Sequence, residues 1–202
     1  MKILHIDSSI NGEQSFSRTL SAAAVARLRE LAPQALVTYR DVAANPVPQF
    51  SGNIAAGIFQ GQQTPEFQRD AKVLSSVLEE VLAADVIVIG TPMYNFGIPS
   101  QLKSWLDAIT MPGKTFSYSQ AGAQGLLGEK RVIIASSRGG IYEPGSPTAT
   151  WEHQESHLRS LFGFLGVTQI DVVRAEGVRV SPEQAEKSLQ SGLQQAAQLQ
   201  AA

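Results

Sequence analysis

The sequence predicts a doubly wound α/β protein built on a five-stranded parallel sheet. Three observations carry that reading. Short β-prone runs alternate with helical segments along the whole chain of 202 residues. Two of the runs, Val86-Ile87-Val88-Ile89 and the segment 130–136 (KRVIIAS), are almost unbroken apolar stretches. Strands buried on both faces need such runs, and parallel sheets bury both faces because their crossover helices cover them. The intervening segments carry apolar residues three and four apart, the spacing of one helix face.

Taken in order, residues 2–6 (KILHI) form the first strand, and 7–14 (DSSINGEQ) a small polar loop. Ser15 to Leu31 is helical, with Leu20, Ala24, Leu28 and Leu31 on one face and Pro33 ending it. Residues 35–42 (ALVTYRDV) form the second strand, and a Pro- and Gly-containing segment runs from 43 to 64. Pro65 suits a first helical position, and Phe67, Ala71, Leu74, Leu78 and Val81 continue as a stripe. The third strand is 85–90, followed by the loop 91–99 (TPMYNFGIP) and a helix over 99–109. Residues 110–128 hold several glycines and Pro112 and form a long loop or a small hairpin. After the strand 130–136 come a Gly- and Pro-rich loop, a helix over 151–164, a strand over 168–174 and a Gln- and Ala-rich helix over 182–199. The expected strand order is 2-1-3-4-5, the flavodoxin-like arrangement, with its switch point between the first and third strands. No composition shift divides the chain, so residues 1–202 are expected to form a single domain.

Composition excludes several classes. Sixteen Lys plus Arg against 18 Asp plus Glu give a net charge of −2, without the basic surplus of a nucleic-acid binder. There is no cysteine, hence no disulfide, no thiol nucleophile and no Cys-based metal site. The N-terminus does not start as a signal peptide does, and the longest apolar stretch, around 81–89, is broken by Asp85 and too short to span a bilayer. A cytoplasmic protein without a membrane segment is expected.

In open parallel sheets ligands bind beyond the C-terminal strand ends. The loops after the first, third and fourth strands are therefore candidate site walls. The first offers Ser8, Ser9, Ser15 and Ser17 ahead of a helix N-terminus, which suits an anion; Arg18 is its only nearby cation. Ser15 or Ser17 equally serves as a helix cap. The second places Met93, Tyr94 and Phe96 where loops are normally polar, either buried against neighbours or forming a wall for a planar ligand, stiffened by Pro92 and Pro99. The third, Ser137-Arg138-Gly139-Gly140, puts paired glycines at a strand end, where a ligand can approach the backbone closely.

These loops, in this order and at these spacings, resemble the FMN-dependent NADH-azoreductase family, whose members are also described as FMN-dependent NADH:quinone oxidoreductases. Asp41 to Pro46 (DVAANP), Gln101-Leu102-Lys103, Thr115-Phe116 with Tyr118, and Phe162-Gly163-Phe164-Leu165-Gly166 extend the likeness over essentially the whole chain. The run MYNF followed some forty residues later by SRGG is its most specific part. The resemblance implies a flavodoxin-like homodimer with FMN at the subunit interface. It implies that Ser9, Ser15, Phe16 and Ser17 hold the FMN phosphate. Pro92, Met93, Tyr94, Asn95 and Phe96 would line the flavin ring, and Ser137, Arg138, Gly139 and Gly140 would border its pyrimidine side. Phe96, Phe116, Tyr118 and Phe162 would form the substrate pocket, some of them from the partner. Tyr142 stands where some members carry His.

The implied chemistry belongs to the flavin rather than to a catalytic side chain. NADH would deliver a hydride, and quinones or azo compounds would accept two electrons at the same face, in ping-pong order. Backbone N–H groups near Gly139 and Gly140 are candidates to stabilise charge on the reduced ring, and one in the Tyr94–Phe96 turn to meet N5. The chain has no G-x-G pair, no P-loop and no G-x-S-x-G, so a dinucleotide-binding domain of its own, a nucleotidase and a hydrolase elbow are not expected. His153 and His157 are four apart, but Gln154 breaks the H-E-x-x-H pattern and no metal is expected. The alternative is a flavodoxin-type electron carrier without its own NADH turnover, which would be expected to carry a strongly charged docking face.

Overall fold

The computed structural model describes residues 1–120 and 122–201. Strands β1 (Lys2–Asp7), β2 (Leu36–Asp41), β3 (Val86–Pro92), β6 (Arg131–Arg138) and β7 (Gln169–Glu176) form one sheet in the order β2-β1-β3-β6-β7. All neighbours are parallel. The sheet is thus flavodoxin-like, as the alternating sequence pattern requires. Helices α1 (Phe16–Leu31) and α6 (Pro182–Ala197) cover one face, and α3 (Pro65–Ala83), α4 (Ser100–Ile109) and α5 (Glu155–Phe164) the other. None of the described helices is long and apolar enough to cross a membrane.

The two faces divide the apolar run of β3 by its period of two. Val86 and Val88 pack with Leu20, Ala24 and Leu28 of α1, while Ile87 and Ile89 pack with Leu102, Trp105 and Leu106 of α4. Helix starts follow ordinary capping chemistry. Ser15, Thr64 and Ser181 each accept a backbone N–H of the first turn, and Pro65 and Pro182 open α3 and α6.

Two expectations change, and one open alternative is decided. The segment 43–64 contains a further helix, α2 (Gly52–Gln60), capped by Ser51 and closed by Gly61 at φ 72°. Its internal Gly57 hides the helical pattern, yet it is there for packing: a Cβ at 57 would collide with the Phe67 ring of α3. The segment expected as one helix over 151–164 divides into a 3-10 turn, Ala149–Trp151, and α5 from Glu155. Residues 110–128 take the hairpin alternative, with β4 (Phe116–Ser119) antiparallel to β5 (Gly122–Gly125).

Gly90 sits where β3 passes closest to α1. An added Cβ would strike Oδ1 of Asp7 and lie 2.9 Å from Oγ of Ser21. Both groups belong to a buried chain of hydrogen bonds, in which Ser21 donates to Asp7 at 2.8 Å and meets His5 Nε2 at 2.9 Å. Gly90→Ala is therefore expected to cost about 1–3 kcal/mol, the usual range for overpacking, read as a lower urea midpoint with an unchanged m-value.

Candidate functional site

A cavity of about 800 Å³ opens at the C-terminal ends of β1, β3 and β6, beside the switch point of the strand order. Its size falls within the range of small-molecule sites. The wall combines Ser9, Ser15 and Phe16, the run from Pro92 to Phe96, and the run from Ser137 to Gly140. The three sequence-predicted loops therefore converge. Ser17 is the exception among the expected cofactor contacts: its side chain is fully buried behind the wall, 3.0 Å from Ser15 Oγ.

The loop after β1 is pinned at both ends. The Ser8 backbone N–H and hydroxyl both donate to the Gly90 carbonyl, at 3.1 and 2.8 Å. Ser15 caps α1 by accepting the Arg18 N–H at 3.4 Å. The N–H groups of Phe16 and Ser17 precede the first intrahelical bonds and have no acceptor in the helix, which leaves them for an anion. Arg18 supplies no charge to that anion. Its guanidinium turns back to the Ser9 carbonyl at 2.7 Å, to Asp41 at 2.7 Å and to the Tyr39 hydroxyl at 3.0 Å. Burial pushes the Asp41 carboxyl up, but the Arg18 hydrogen bond and the N–H groups of Ala43 and Ala44 outweigh it and hold the carboxyl below its usual range.

The loop after β3 is a tight turn. Tyr94 and Gly97 exchange N–H···O bonds of 2.9 and 3.0 Å. Between them Asn95 and Phe96 adopt φ of 47° and 72°, the only positive values at non-glycine residues among those described. Two successive positive φ angles are the mark of a mirror-image turn. The strain is held by neighbours: Met93 N–H donates to Ser137 at 2.8 Å, and His153 N–H to the Phe96 carbonyl at 3.0 Å. The Tyr94 hydroxyl accepts the Ile10 N–H at 3.1 Å and so ties this turn to the first loop. Among the described residues, neither Asn95 nor Phe96 finds a partner for its own N–H.

The loop after β6 differs from expectation in two respects. First, Arg138 borders the cavity, but its guanidinium is 2% exposed and committed beneath the wall. It lies 2.6 Å from Glu155, 3.3 Å from Glu152 and 3.3 Å from Glu176, and Nε donates to Gln154 at 3.2 Å. Second, the glycines leave room for side chains of the chain itself. A Cβ at 139 would meet the Arg179 stem at 3.3 Å, and one at 140 the Tyr142 ring atoms at 3.1–3.2 Å. Neither glycine has a positive φ. Their carbonyls accept Arg179 and Gly177 N–H groups at 3.0 and 2.8 Å, while their own N–H groups make no bond among the described residues.

The expected aromatic pocket is only partly assembled by this chain. Phe96 is 43% exposed at the cavity and packs edge-on against Trp151 at 5.4 Å and Tyr142 at 6.3 Å. Phe162 is fully buried in the core, and Phe116 nearly so, and neither lines the cavity. Helix periodicity turns Phe162 inward. Phe164, two residues on, is the exposed ring and packs on Phe116, which in turn touches the exposed Tyr118. The sequence reading missed Trp151, Val178 and Arg179. The last two follow β7, whose C-terminal end meets the same edge, so the rule applied to three strands extends to the fourth.

A family model described as a flavodoxin-like fold matches residues 1–199. The chain is 52% identical, over the full length of both, to an FMN-dependent NADH:quinone oxidoreductase of Bradyrhizobium diazoefficiens. Among solved structures it is similar to an azoreductase of Bacillus anthracis strain Sterne, 31% identical, covering 98% of this chain and 97% of that one with a TM-score of 0.90. An FMN-dependent NADH-azoreductase of Bacillus anthracis strain Ames Ancestor, solved in complex with FMN, is 26% identical with a TM-score of 0.86 and covers 97% of each chain.

Glu155 gives the site an acid-sensitive foundation. Burial raises its carboxyl, but Arg174, Arg138 and Ser136 overcome that and hold it below its ordinary 4.5. A depressed carboxyl contributes stability above its unfolded pKa and loses it as pH falls toward the folded value. The unfolding free energy should therefore decline below pH 4.5. Glu155→Gln should flatten that limb by up to one proton, about 1.4 kcal/mol per pH unit. It should also lower stability at pH 7 by about 3 kcal/mol, because Arg138 then lies buried with one partner fewer. Urea titrations across pH check both.

Proposed function

The chain belongs to the flavodoxin-like family that includes these FMN-dependent NADH:quinone oxidoreductases and azoreductases, and from that premise we propose how its own residues carry the reaction. It is an FMN-dependent oxidoreductase that uses NADH to reduce quinones and azo compounds. One observation supports the cofactor most directly: among the described residues, the cavity wall combines unused backbone N–H groups on three sides with no carboxylate in its lining. Such a wall suits a ligand that is a phosphate at one end and a polar, planar ring at the other. When bound, FMN supplies two-electron chemistry, so that NADH, a proton and a quinone become NAD+ and a hydroquinone.

The chain's part is to hold and orient. The N–H groups of Phe16 and Ser17, with the hydroxyls of Ser9 and Ser15, receive the phosphate. Hydrogen bonds and the helix dipole do this without a cation, since Arg18 is engaged elsewhere. Met93 and the Tyr94–Gly97 turn flank the ring and offer the N–H groups of Asn95 and Phe96. Gly139 and Gly140 would offer theirs to the polar edge of the ring, as donors suited to negative charge. Phe96, Trp151 and Tyr142 leave an aromatic rim on which planar acceptors stack.

A homodimer completes the site in this reading. Phe50, Phe59, Tyr118 and Phe164 are exposed rings of this chain that a C2 partner would cover, and Tyr118 with Phe164 would then face the neighbouring cavity. A monomeric mass in dilute solution would count against it. We infer a cytoplasmic location, where NADH is generated.

Anaerobic stopped-flow of the FMN-loaded protein tests the function. NADH should bleach the flavin absorbance quickly, and benzoquinone should restore it quickly. Tight FMN binding without bleaching by NADH or NADPH would instead indicate an electron carrier fed by a protein partner. Ser15→Ala should weaken FMN binding about tenfold, a loss of roughly 1.4 kcal/mol, and leave riboflavin binding unchanged, because riboflavin lacks the phosphate. Fluorescence titration with the two flavins reads the difference.

A further inference from the structure

Arg179 is the one cationic side chain of the cavity wall, among the described residues, without a carboxylate in ion-pair range. The other wall cation, Arg138, is enclosed by Glu152, Glu155 and Glu176. No aspartate or glutamate lines the cavity to neutralise Arg179. Its stem is also held in place. The Arg179 N–H donates to the Gly139 carbonyl at 3.0 Å, and its Cβ, Cγ and Cδ lie over the bare Cα of Gly139. The missing side chain at 139 is thus what seats the arginine against the cavity edge. An exposed guanidinium whose stem lies along the edge of an aromatic-rimmed cavity attracts anions and offers planar, bidentate recognition of oxyanions.

We propose that Arg179 is a specificity-determining residue that favours aromatic acceptors bearing a sulfonate or carboxylate over neutral acceptors of the same ring size. The inference rests on the quinone and azo reductase reading above. The anionic substituent takes no part in the redox step: the quinone gains two electrons and two protons, supplied by NADH and one solvent proton, and the sulfonate leaves unchanged.

The test compares 1,2-naphthoquinone-4-sulfonate with 1,2-naphthoquinone as acceptors for FMN-loaded wild type, Arg179→Gln and Arg179→Lys. Intrinsic reactivity differences between the acceptors cancel when the ratio of their kcat/KM values is compared across variants. Arg179→Gln should lower the sulfonate-to-neutral ratio about tenfold, an effect of roughly 1.4 kcal/mol, carried by KM. Arg179→Lys should restore part of it, and added salt should erode the wild-type preference. The bleaching rate with NADH, the flavin midpoint potential and the FMN affinity are measured in parallel, so that the acceptor ratio is compared at full FMN loading and read in the oxidative half-reaction. Direct titration of the FMN-loaded proteins with unreactive naphthalene-2-sulfonate should show the same weakening in Arg179→Gln. An unchanged ratio overturns the proposal. So does an equal loss for both acceptors with a shifted potential, which would place Arg179 on the flavin, or a loss confined to the NADH half-reaction or to FMN binding. If wild type reduced neither quinone, the reductase reading itself would fail, and the naphthalene-2-sulfonate titration would still decide whether Arg179 recognises an aromatic anion.

Discussion

Burying a carboxylate costs several kcal/mol unless charge and hydrogen bonds surround it, and Glu155 meets that condition only where three elements converge. Ser136 and Arg138 approach it from β6, Arg174 from β7, and its own position is the first turn of α5. The adjoining Gln154 carries the connection to β3 by donating to the Thr91 carbonyl at 2.8 Å. The cluster therefore sets the height of β6 relative to β3 and β7 at the edge where the cavity opens. The turn at Tyr94–Gly97 and the Gly139–Gly140 segment depend on that alignment, since one leans on Ser137 and the other on residues 177–179. Removing a partner from such a cluster strands the remaining charges, so the edge is rigid because its alternatives are worse.

The opposite end of the cavity is organised by a second ionic cluster with a different outcome. Arg18, Asp7, Tyr39 and Asp41 form a linked set that continues through Asp7 to Ser21 and His5, and the loop after β1 hangs from it through the Ser9 carbonyl. The loop's donors to a ligand are consequently backbone N–H groups and hydroxyls. They carry little net charge and do not attract anions indiscriminately from a distance. In the proposed reading, selectivity for the phosphate would come from the placing of the Phe16 and Ser17 N–H groups and the Ser9 and Ser15 hydroxyls rather than from charge.

Much of this was legible in the sequence. Val86-Ile87-Val88-Ile89 announced a strand buried on both faces, and the rule for strand ends then located the cavity before any contact was known. What sequence could not supply was direction. Arg18 and Arg138 stand beside the site in the chain, yet both turn their charge away from it, toward the half-buried Asp41 and the buried Glu155, 23 and 17 positions away. Phe162 and Phe164 differ by two residues and point to opposite environments, which a pattern blurred by Gly163 does not reveal. Gly139 and Gly140 read as ligand clearance, whereas a Cβ there would press on side chains of this chain, Arg179 and Tyr142; Gly57, within a segment given no helix, makes space for Phe67. Such pairings are long-range and leave no local signature.

The turn at Asn95-Phe96 bears on how far this protein can be stabilised. A mirror-image turn favours glycine at its second central position, and a bulky aromatic held there at φ 72° stores strain of about 1–3 kcal/mol. A search for thermostable variants would select glycine at 96 and would at once dismantle the ring contacts with Trp151 and Tyr142. Resistance to heat and the aromatic rim therefore compete for one side chain, and the sequence has settled the contest in favour of the rim.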